Sequence, residues 1–331
     1  MPQTRHSPTP GSIDTFATRA KPIQFRASRS GNRQKSNAGL PFSARIHQAL
    51  TSPSMRTTRS TPVPTPAASP WLLAESNLAD VRAAKFQVAI LPMGATEPHN
   101  LHLPYATDTI EATRLASACC EKAIELGARV VQLPTIPYGT ETNMQAFPLA
   151  MNLLPSTVSL MLRDLVHSVE ASGIYKLVLF NSHGGNDFKP FLREIAGQTK
   201  VHIFLCNWYQ MIRDAADDIC QHPDDHAGEM ETSLIMHFCP ELIAKKESGG
   251  LQADAGERRP LRFEALQKGW VTLSRPWHLL TTNSGSGNPH LATAEKGRQL
   301  TEVIVARVAP FLTELSASEI DDSFPFMAST N

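Results

Sequence analysis

The sequence predicts an α/β protein: a mainly parallel sheet covered by helices on both faces. Three observations carry that expectation. From about residue 76 onward, short apolar runs alternate with longer segments of helical period. The run at 176–180 is apolar almost throughout, the pattern of a strand buried on both faces rather than one. The residues with the richest chemistry stand just after such runs, where an open α/β sheet places its site.

Taken in order, residues 86–92 (FQVAILP) read as the first strand. Residues 108–126 read as a helix, with Asp108 at its start and Gly127 just past its end. A second strand follows at 129–133. Residues 155–172 form the next helix, with Pro155 in a first-turn position and Gly173 as the stop. The strand at 176–180, a helix at 188–197 and a strand at 201–206 complete the sheet. A helix at 229–238 is halted by Pro240, and a long helix at 292–315 closes the chain. Between them, residues 244–290 are irregular, rich in glycine and polar side chains. This defines a folded domain over 76–316 with tails at 1–75 and 317–331. No internal repeat is present.

Composition narrows the function. Net charge is zero, but residues 1–70 carry ten Lys/Arg and a single acid, Asp14, leaving 21 bases against 30 acids after position 70, a net of −9. An acidic domain is a poor partner for nucleic acid backbone and a better one for cations. No apolar run approaches the roughly 18 residues of a membrane span. Cys119, Cys120, Cys206, Cys220 and Cys239 form no C-x-x-C pair and no regular framework, which fits a reducing, cytoplasmic setting. The first 70 residues are rich in Ser, Thr, Pro and Arg and lack apolar periodicity, so they cannot offset their ordering entropy. Three readings fit them: a disordered tail, an organellar transit peptide, or sequence ahead of a true start at Met55.

The chemistry lies in three stretches. The first, Thr96-Glu97-Pro98-His99-Asn100-Leu101-His102-Leu103-Pro104-Tyr105-Ala106-Thr107-Asp108, follows the first strand. In extended chain Glu97 and His99 project to one side, and the Pro104 region turns the chain to bring Asp108 back. Two carboxylates and an imidazole make a mixed O/N set suited to Zn²⁺ or Mn²⁺; His102 is a further candidate. The second, Asn181-Ser182-His183-Gly184-Gly185-Asn186, follows the third strand and leaves His183 at a strand end. Gly184 and Gly185 permit close backbone approach. The third runs from His226 to Ser233, where Glu229 and Glu231 open a helix and His226 precedes it as a base or ligand. Together these predict a metal-dependent hydrolase. No G-x-S-x-G, phosphate-loop, dinucleotide-binding or H-E-x-x-H motif competes. Tyr138 and Trp208 are candidate aromatic walls of a substrate pocket.

These stretches, in this order, resemble the creatininase (creatinine amidohydrolase) family. Its E-x-H-G-x-H-L-P-x-x-x-D motif is matched by Glu97, His99, His102, Leu103, Pro104 and Asp108. Its G-H-G-G-N element is matched by His183 to Asn186, and its H-A-G-x-x-E-T-S element by His226 to Ser233. Its closing pattern is matched by Gly287-Asn288-Pro289 with Ala292 to Gly297. The resemblance covers about residues 77–313. It implies a three-layer α/β/α fold, two divalent metal ions (Zn or Mn, with Fe also compatible), a small-molecule amide substrate and a homo-oligomer, often a hexamer. By position it implies that Glu97, Asp108 and His183 hold one metal, that His99, a bridging Asp108 and Glu231 hold the second, and that His226 shuttles protons. Family activities include creatinine hydrolysis, hydrolysis of formamides in cofactor synthesis, and peptide trimming. The chain departs from the pattern at Asn100, in place of glycine, at Met144, often His, and at Leu149-Ala150, often Gly-Thr. Gly184-Gly185 stand where creatininases proper carry Tyr-Glu; the missing ligand carboxylate shifts that duty to Glu231 or Glu229.

Overall fold

The computed structural model describes residues 69–222 and 226–327. The basic tail expected at 1–75, including Met55, lies outside the described residues as far as position 68, as do the last four residues of the chain. Among the described residues four strands form one parallel sheet: β1 (Val88–Met93), β2 (Val130–Gln132), β3 (Lys176–Asn181) and β4 (His202–Asn207), in the spatial order β2-β1-β3-β4. Helices α1 (Leu78–Ala84), α2 (Thr107–Glu125), α3 (Pro155–Ala171), α4 (Lys189–Ile195), α5 (Trp208–Met211), α6 (Arg213–Ile219) and α7 (Glu229–Phe238) follow in chain order. They are completed by α8 (Glu264–Gln267), α9 (Trp277–Leu280) and the closing α10 (Ala294–Ala317).

The pleat divides the strand side chains between two cores. Val88, Ile90, Val178 and Phe180 face α2, α7 and α10, where Leu115, Cys119, Leu234, Leu300, Ile304 and Leu312 meet them. Ala89, Leu91, Met93, Leu177 and Leu179 face α3 and α4, against Val158, Leu162, Val166, Phe191 and Ile195. This is the expected three-layer α/β/α arrangement. Central strands buried on both faces explain why β1 and β3 read as continuous apolar runs. Each fully buried aliphatic or Phe side chain contributes about 1.5–3 kcal/mol, so the sheet and its two covers are held chiefly by these contacts.

Pro92 sits inside a central strand, where proline is normally excluded. The carbonyls of Ile90 and Pro92 accept from Leu133 and Ile136 on the β2 side, so the position without an N–H also faces β2. β2 ends at Gln132, opposite Ile90, and no ladder donor is required there. Trp71 and Leu73 extend this edge: Gln132 N–H donates to Trp71 O and Leu73 N–H to Gln132 O. At the opposite edge, Phe324 packs edge-on against His202 and Phe204 of β4.

Elements deviate from expectation by a few residues at their ends, and five short helices among the described residues were not expected. α1 has no buried residue, hence no apolar stripe to read, and is held by its Asn77 cap, whose Oδ1 accepts from Ala79 and Asp80 N–H at 2.9 and 3.1 Å. α5 and α6 are each too short to show a period. Within 244–290, α8 and α9 are single turns in an otherwise irregular segment. The long helix α10 crosses α7 at Gly297, where a Cβ would stand 2.0 Å from Ser233 O; the closing lysine-glycine pair is a packing requirement.

Two departures from the family pattern occupy backbone that glycine would favour. Asn100 has φ +54° and Leu149 φ +57°. Asparagine tolerates the left-handed region, and Asn100 is tied by Nδ2–H to Asp254 O at 3.0 Å. Leu149 is 77 % exposed, so little side-chain burial offsets a conformation that costs roughly 1–2 kcal/mol for a residue with a Cβ. Leu149→Gly is expected to stabilise the protein by about 0.5–1 kcal/mol, after allowing for the greater chain entropy of glycine. Denaturant midpoints of the two proteins check this; a lower midpoint for the variant would show that the leucine side chain holds the loop.

Candidate metal centre

β1 and β3 are adjacent, but the chain leaves them toward opposite edges, β1 for β2 and β3 for β4. Their carboxyl ends therefore border the crevice of a topological switch point. Glu97 N–H donates to Tyr105 O at 3.1 Å, closing the loop after β1 on itself and bringing Glu97 toward Asp108 in the first turn of α2. His99 Nδ1–H donates to Glu97 O at 3.0 Å. That bond leaves Nε2 as the nitrogen facing the carboxylates, 3.3 Å from Asp108 Oδ1 and 3.9 Å from Glu231 Oε2.

His183 arrives from β3. Asn181 clamps its main chain from both sides, accepting from His183 N–H at 3.2 Å and donating to His183 O at 2.9 Å. Its Nδ1 lies 3.1 Å from both Glu97 Oε1 and Asp108 Oδ2. His226, paired through its backbone to Ser286, donates Nε2–H to Pro98 O at 2.9 Å and stands with Nδ1 3.7 Å from Glu97 Oε1. Its ring lies 4.2 Å from that of His99 and 5.1 Å from that of Trp277.

The structure separates the two glutamates at the start of α7. Glu231 turns into the cluster, accepting from Ala227 N–H beside His99. Glu229 turns away: it is fully buried, accepts from Gln221 and His222 N–H at 2.9 and 3.1 Å, and is ion-paired with Lys296. Among the described residues, three groups have their potential ligand atoms within 4.8 Å of one another: Glu97, Asp108 and His183; His99, Asp108 and Glu231; and Glu97, His99 and His226. The first two share Asp108, one oxygen toward each histidine. His102 does not join them; its Nε2 is bonded to Thr232 Oγ1 at 2.8 Å.

Burial sets the protonation of this cluster. It pushes the Glu97 carboxyl up to about 8, with Glu141 adding to the rise and His183 opposing it. Burial also opposes protonation of His99, but Asp108 chiefly, then Glu231 and Glu97, hold it up at about 10. The Asp108 carboxyl works against burial too, and His99 and His183 keep it well below the usual range. His226 differs: burial, then the charge on His99, pushes it down to about 3, so it is neutral at physiological pH. A buried set of carboxylate oxygens and imidazole nitrogens, whose protons a cation can displace, suits a borderline divalent ion.

A cavity of about 140 Å³ opens on the cluster. Its walls include Gly184 and Gly185, as expected, and Met144, Asn143, Arg275 and Trp277. Neither aromatic residue expected there contributes. Tyr138 is 44 % exposed away from the cavity. Trp208 is buried in the core on the α2, α7 and α10 face, its Nε1–H donating to Ser182 Oγ at 2.9 Å; an apolar indole following a central strand packs inward, and its one polar atom finds a partner below the site. The aromatic wall is Trp277, from the segment that reads as irregular, where no local pattern marks it. A second missed residue is Glu141, fully buried with Oε2 3.1 Å from His183 Nε2. A polar pocket of about 470 Å³ adjoins the cavity, sharing Gly184 and Glu231 with it.

Residues 74–312 match the family profile described as Creatininase: creatinine amidohydrolase. A mycofactocin precursor peptide peptidase of Mycobacterium ulcerans (strain Agy99) is 30 % identical over 221 residues, covering 64 % of this chain and 78 % of that one. A structure from Bacteroides fragilis NCTC 9343, provisionally a creatinine amidohydrolase, superposes with a TM-score of 0.70 at 34 % identity over 76 % of this chain and 98 % of that one. A manganese creatininase structure shares the fold, with a TM-score of 0.57 at 21 % identity over 75 % and 99 % of the two chains. The family match spans well over half of the chain and coincides with the residues gathered at the switch point: this protein is a member of the creatininase family of amidohydrolases.

Proposed function

We propose that the protein is a binuclear metal-dependent amidohydrolase that cleaves a C–N bond of a small cyclic amide or formamide. The observation that carries this reading is the position of Asp108, shared by two sets of three potential ligands. Glu97, Asp108 and His183 would hold one divalent cation, and His99, Asp108 and Glu231 the other, with Zn²⁺ or Mn²⁺ the best fit and Fe²⁺ compatible. Bound there, such a pair acidifies a water molecule and polarises the scissile carbonyl.

The protein's own residues supply the rest. His226 is neutral, and its Nε2–H is committed to Pro98 O, so Nδ1 is the atom that takes a proton from the attacking water and returns it to the leaving nitrogen. Trp277 and Met144 pack with Leu280 beside that ring and keep bulk water from it. Gly184 leaves open space where a side chain would otherwise stand. The small volume over the cluster favours a compact substrate such as creatinine or a formylamino-pyrimidine. A second reading, trimming of a peptide amide, is favoured by the adjoining polar pocket, which gives room for a longer chain, and by the mycobacterial relative.

Metal analysis of the purified protein is expected to find two divalent ions per chain, and chelation to abolish hydrolysis until metal is restored. A protein free of bound divalent metal, with hydrolysis indifferent to EDTA, would sink the reading. His226→Ala is expected to lower kcat by about 10²–10⁴-fold while metal content stays at two; an unchanged rate would remove His226 from proton transfer. Incubation with creatinine, a formylamino-pyrimidine and a set of short peptides, followed by assay of creatine, formate and new termini, distinguishes the substrate classes. The compact-substrate reading predicts product from one of the first two and none from the peptides.

A further inference from the structure

We propose that Glu141 is a positioning residue for His183: its buried carboxylate, set beside Nε2, holds the proton on that nitrogen by its charge and so presents the Nδ1 lone pair to the point between Glu97 and Asp108. The inference rests on the binuclear reading and assigns a role to a residue outside every ligand group described above. Glu141 is fully buried, and its Oε2 stands 3.1 Å from His183 Nε2. Thr140 O lies 3.3 Å from the same nitrogen. Both neighbours of Nε2 are acceptors that belong to no ligand group, whereas the acceptors at Nδ1 are themselves potential ligands; with a cation among those ligands, Nε2 is the nitrogen that keeps its proton. The opposite nitrogen, 3.1 Å from Glu97 and Asp108 oxygens, is then the one free to bind a cation. A carboxylate behind a metal-binding imidazole fixes its tautomer and ring plane and raises its basicity.

The surrounding backbone is built for this contact. Glu141 N–H donates to Asn152 Oδ1 at 2.7 Å, and Thr140 N–H to Asn186 Oδ1 at 3.1 Å, so the 140–141 segment is pinned at both residues. Gly185 provides the approach: a Cβ there would come within 2.3 Å of His183 Nε2 and 2.4 Å of Thr140 O. Its lack of a side chain serves the acceptor pair behind His183 as much as the cavity in front. Both Glu141 carboxylate oxygens are buried without a hydrogen bond, a costly state that the 3.1 Å charge contact with an imidazole protonated at Nε2 offsets.

The test uses the full-length protein stripped of metal, Zn²⁺ alone as the probe, and competition against a chromophoric chelator. Wild type is compared with Glu141→Gln, which keeps an acceptor oxygen but loses the charge, and Glu141→Ala, which loses both. Expected is a weakening of one of two Zn²⁺ equivalents by about 10–100-fold, larger for Ala than for Gln, with the other equivalent less affected. A residue of purely structural importance would lower the melting temperature of the metal-free protein and leave Zn²⁺ affinity alone; wild-type affinity for both equivalents in both variants overturns the proposal. Should the variants not fold, ¹⁵N resonances of His183 in zinc-loaded wild type decide: a proton on Nε2 supports the assignment, and a proton on Nδ1 overturns it. Wild type that takes up no Zn²⁺ removes the binuclear reading and this inference with it, an outcome distinct from a wild type that binds two ions as tightly as its variants.

Discussion

The site depends on one carboxylate having two sides. Asp108 offers Oδ2 to a histidine delivered by β3 and Oδ1 to a histidine delivered by the loop after β1. Glu97 also meets both rings, but through its carboxylate at His183 and its main-chain carbonyl at His99. Its position is fixed by the first turn of α2, whose amide end favours a negative charge, and by the loop closure that makes the chain return after ten residues of excursion from Glu97. The switch point between β1 and β3 is what makes the two histidines arrive from different elements on opposite sides of the same side chain. The packing described above serves that end: α2 is seated on the sheet by Leu115, Ala116 and Cys119, and a shift of α2 along its axis would separate Asp108 from both partners at once.

Main-chain and buried carboxylate acceptors then decide which nitrogen each imidazole shows the cavity. His99 is tied at Nδ1 to Glu97 O and shows Nε2; His226 is tied at Nε2 to Pro98 O and shows Nδ1. The carbonyls of two successive residues thus select different nitrogens of two rings whose centroids lie 4.2 Å apart, tilted by 37°. His99 stands among carboxylates and is readily charged, whereas His226 is next to that charge and against an indole and stays neutral. Two histidines in contact are in this way given different chemistry by surroundings alone.

Much of this was legible in the sequence, and the reasons differ for each part. Alternation of apolar runs with helical segments gave the layers because β1 and β3 are buried on both faces and their helices carry clear stripes. The Glu97, His99 and Asp108 set was legible because all three fall within one loop and helix start, so the geometry is local. The choice between Glu229 and Glu231 was not: both lie in the first turn of α7, and the distant Lys296, together with the Gln221 and His222 N–H groups, draws one of them away. α1 was invisible because it buries nothing. Trp208 was read as a wall because it follows a strand; whether an indole there turns toward solvent or core depends on Ser182, which receives its N–H, and on the α5 turn it opens. Glu141 and Trp277 carry no local pattern at all, since each reaches the site from a loop whose path is set by contacts far along the chain.

The positions where the chain departs from the family pattern bear on how much the fold constrains them. At Asn100 and Leu149 the side chain differs but the backbone keeps a conformation that favours glycine, so the loop path is imposed from elsewhere: by Ser284 Oγ and Asp254 O on Asn100, and by Tyr105 Oη–H on Pro148 O beside Leu149. Met144 is different in kind. It is buried against Trp277 and Leu280, so a position where a histidine would add a titratable group instead adds apolar surface to the wall. Beside a cluster already dense in ionisable groups, such a wall limits the routes by which a proton can leave. His226 is neutral and borders both the wall and Glu97, so in the proposed reaction the proton it accepts is handed back into the cavity. An apolar wall on one side and a carbonyl on Nε2 together leave Nδ1 as the nitrogen of that ring facing the cavity, which is what the proposed proton transfer requires.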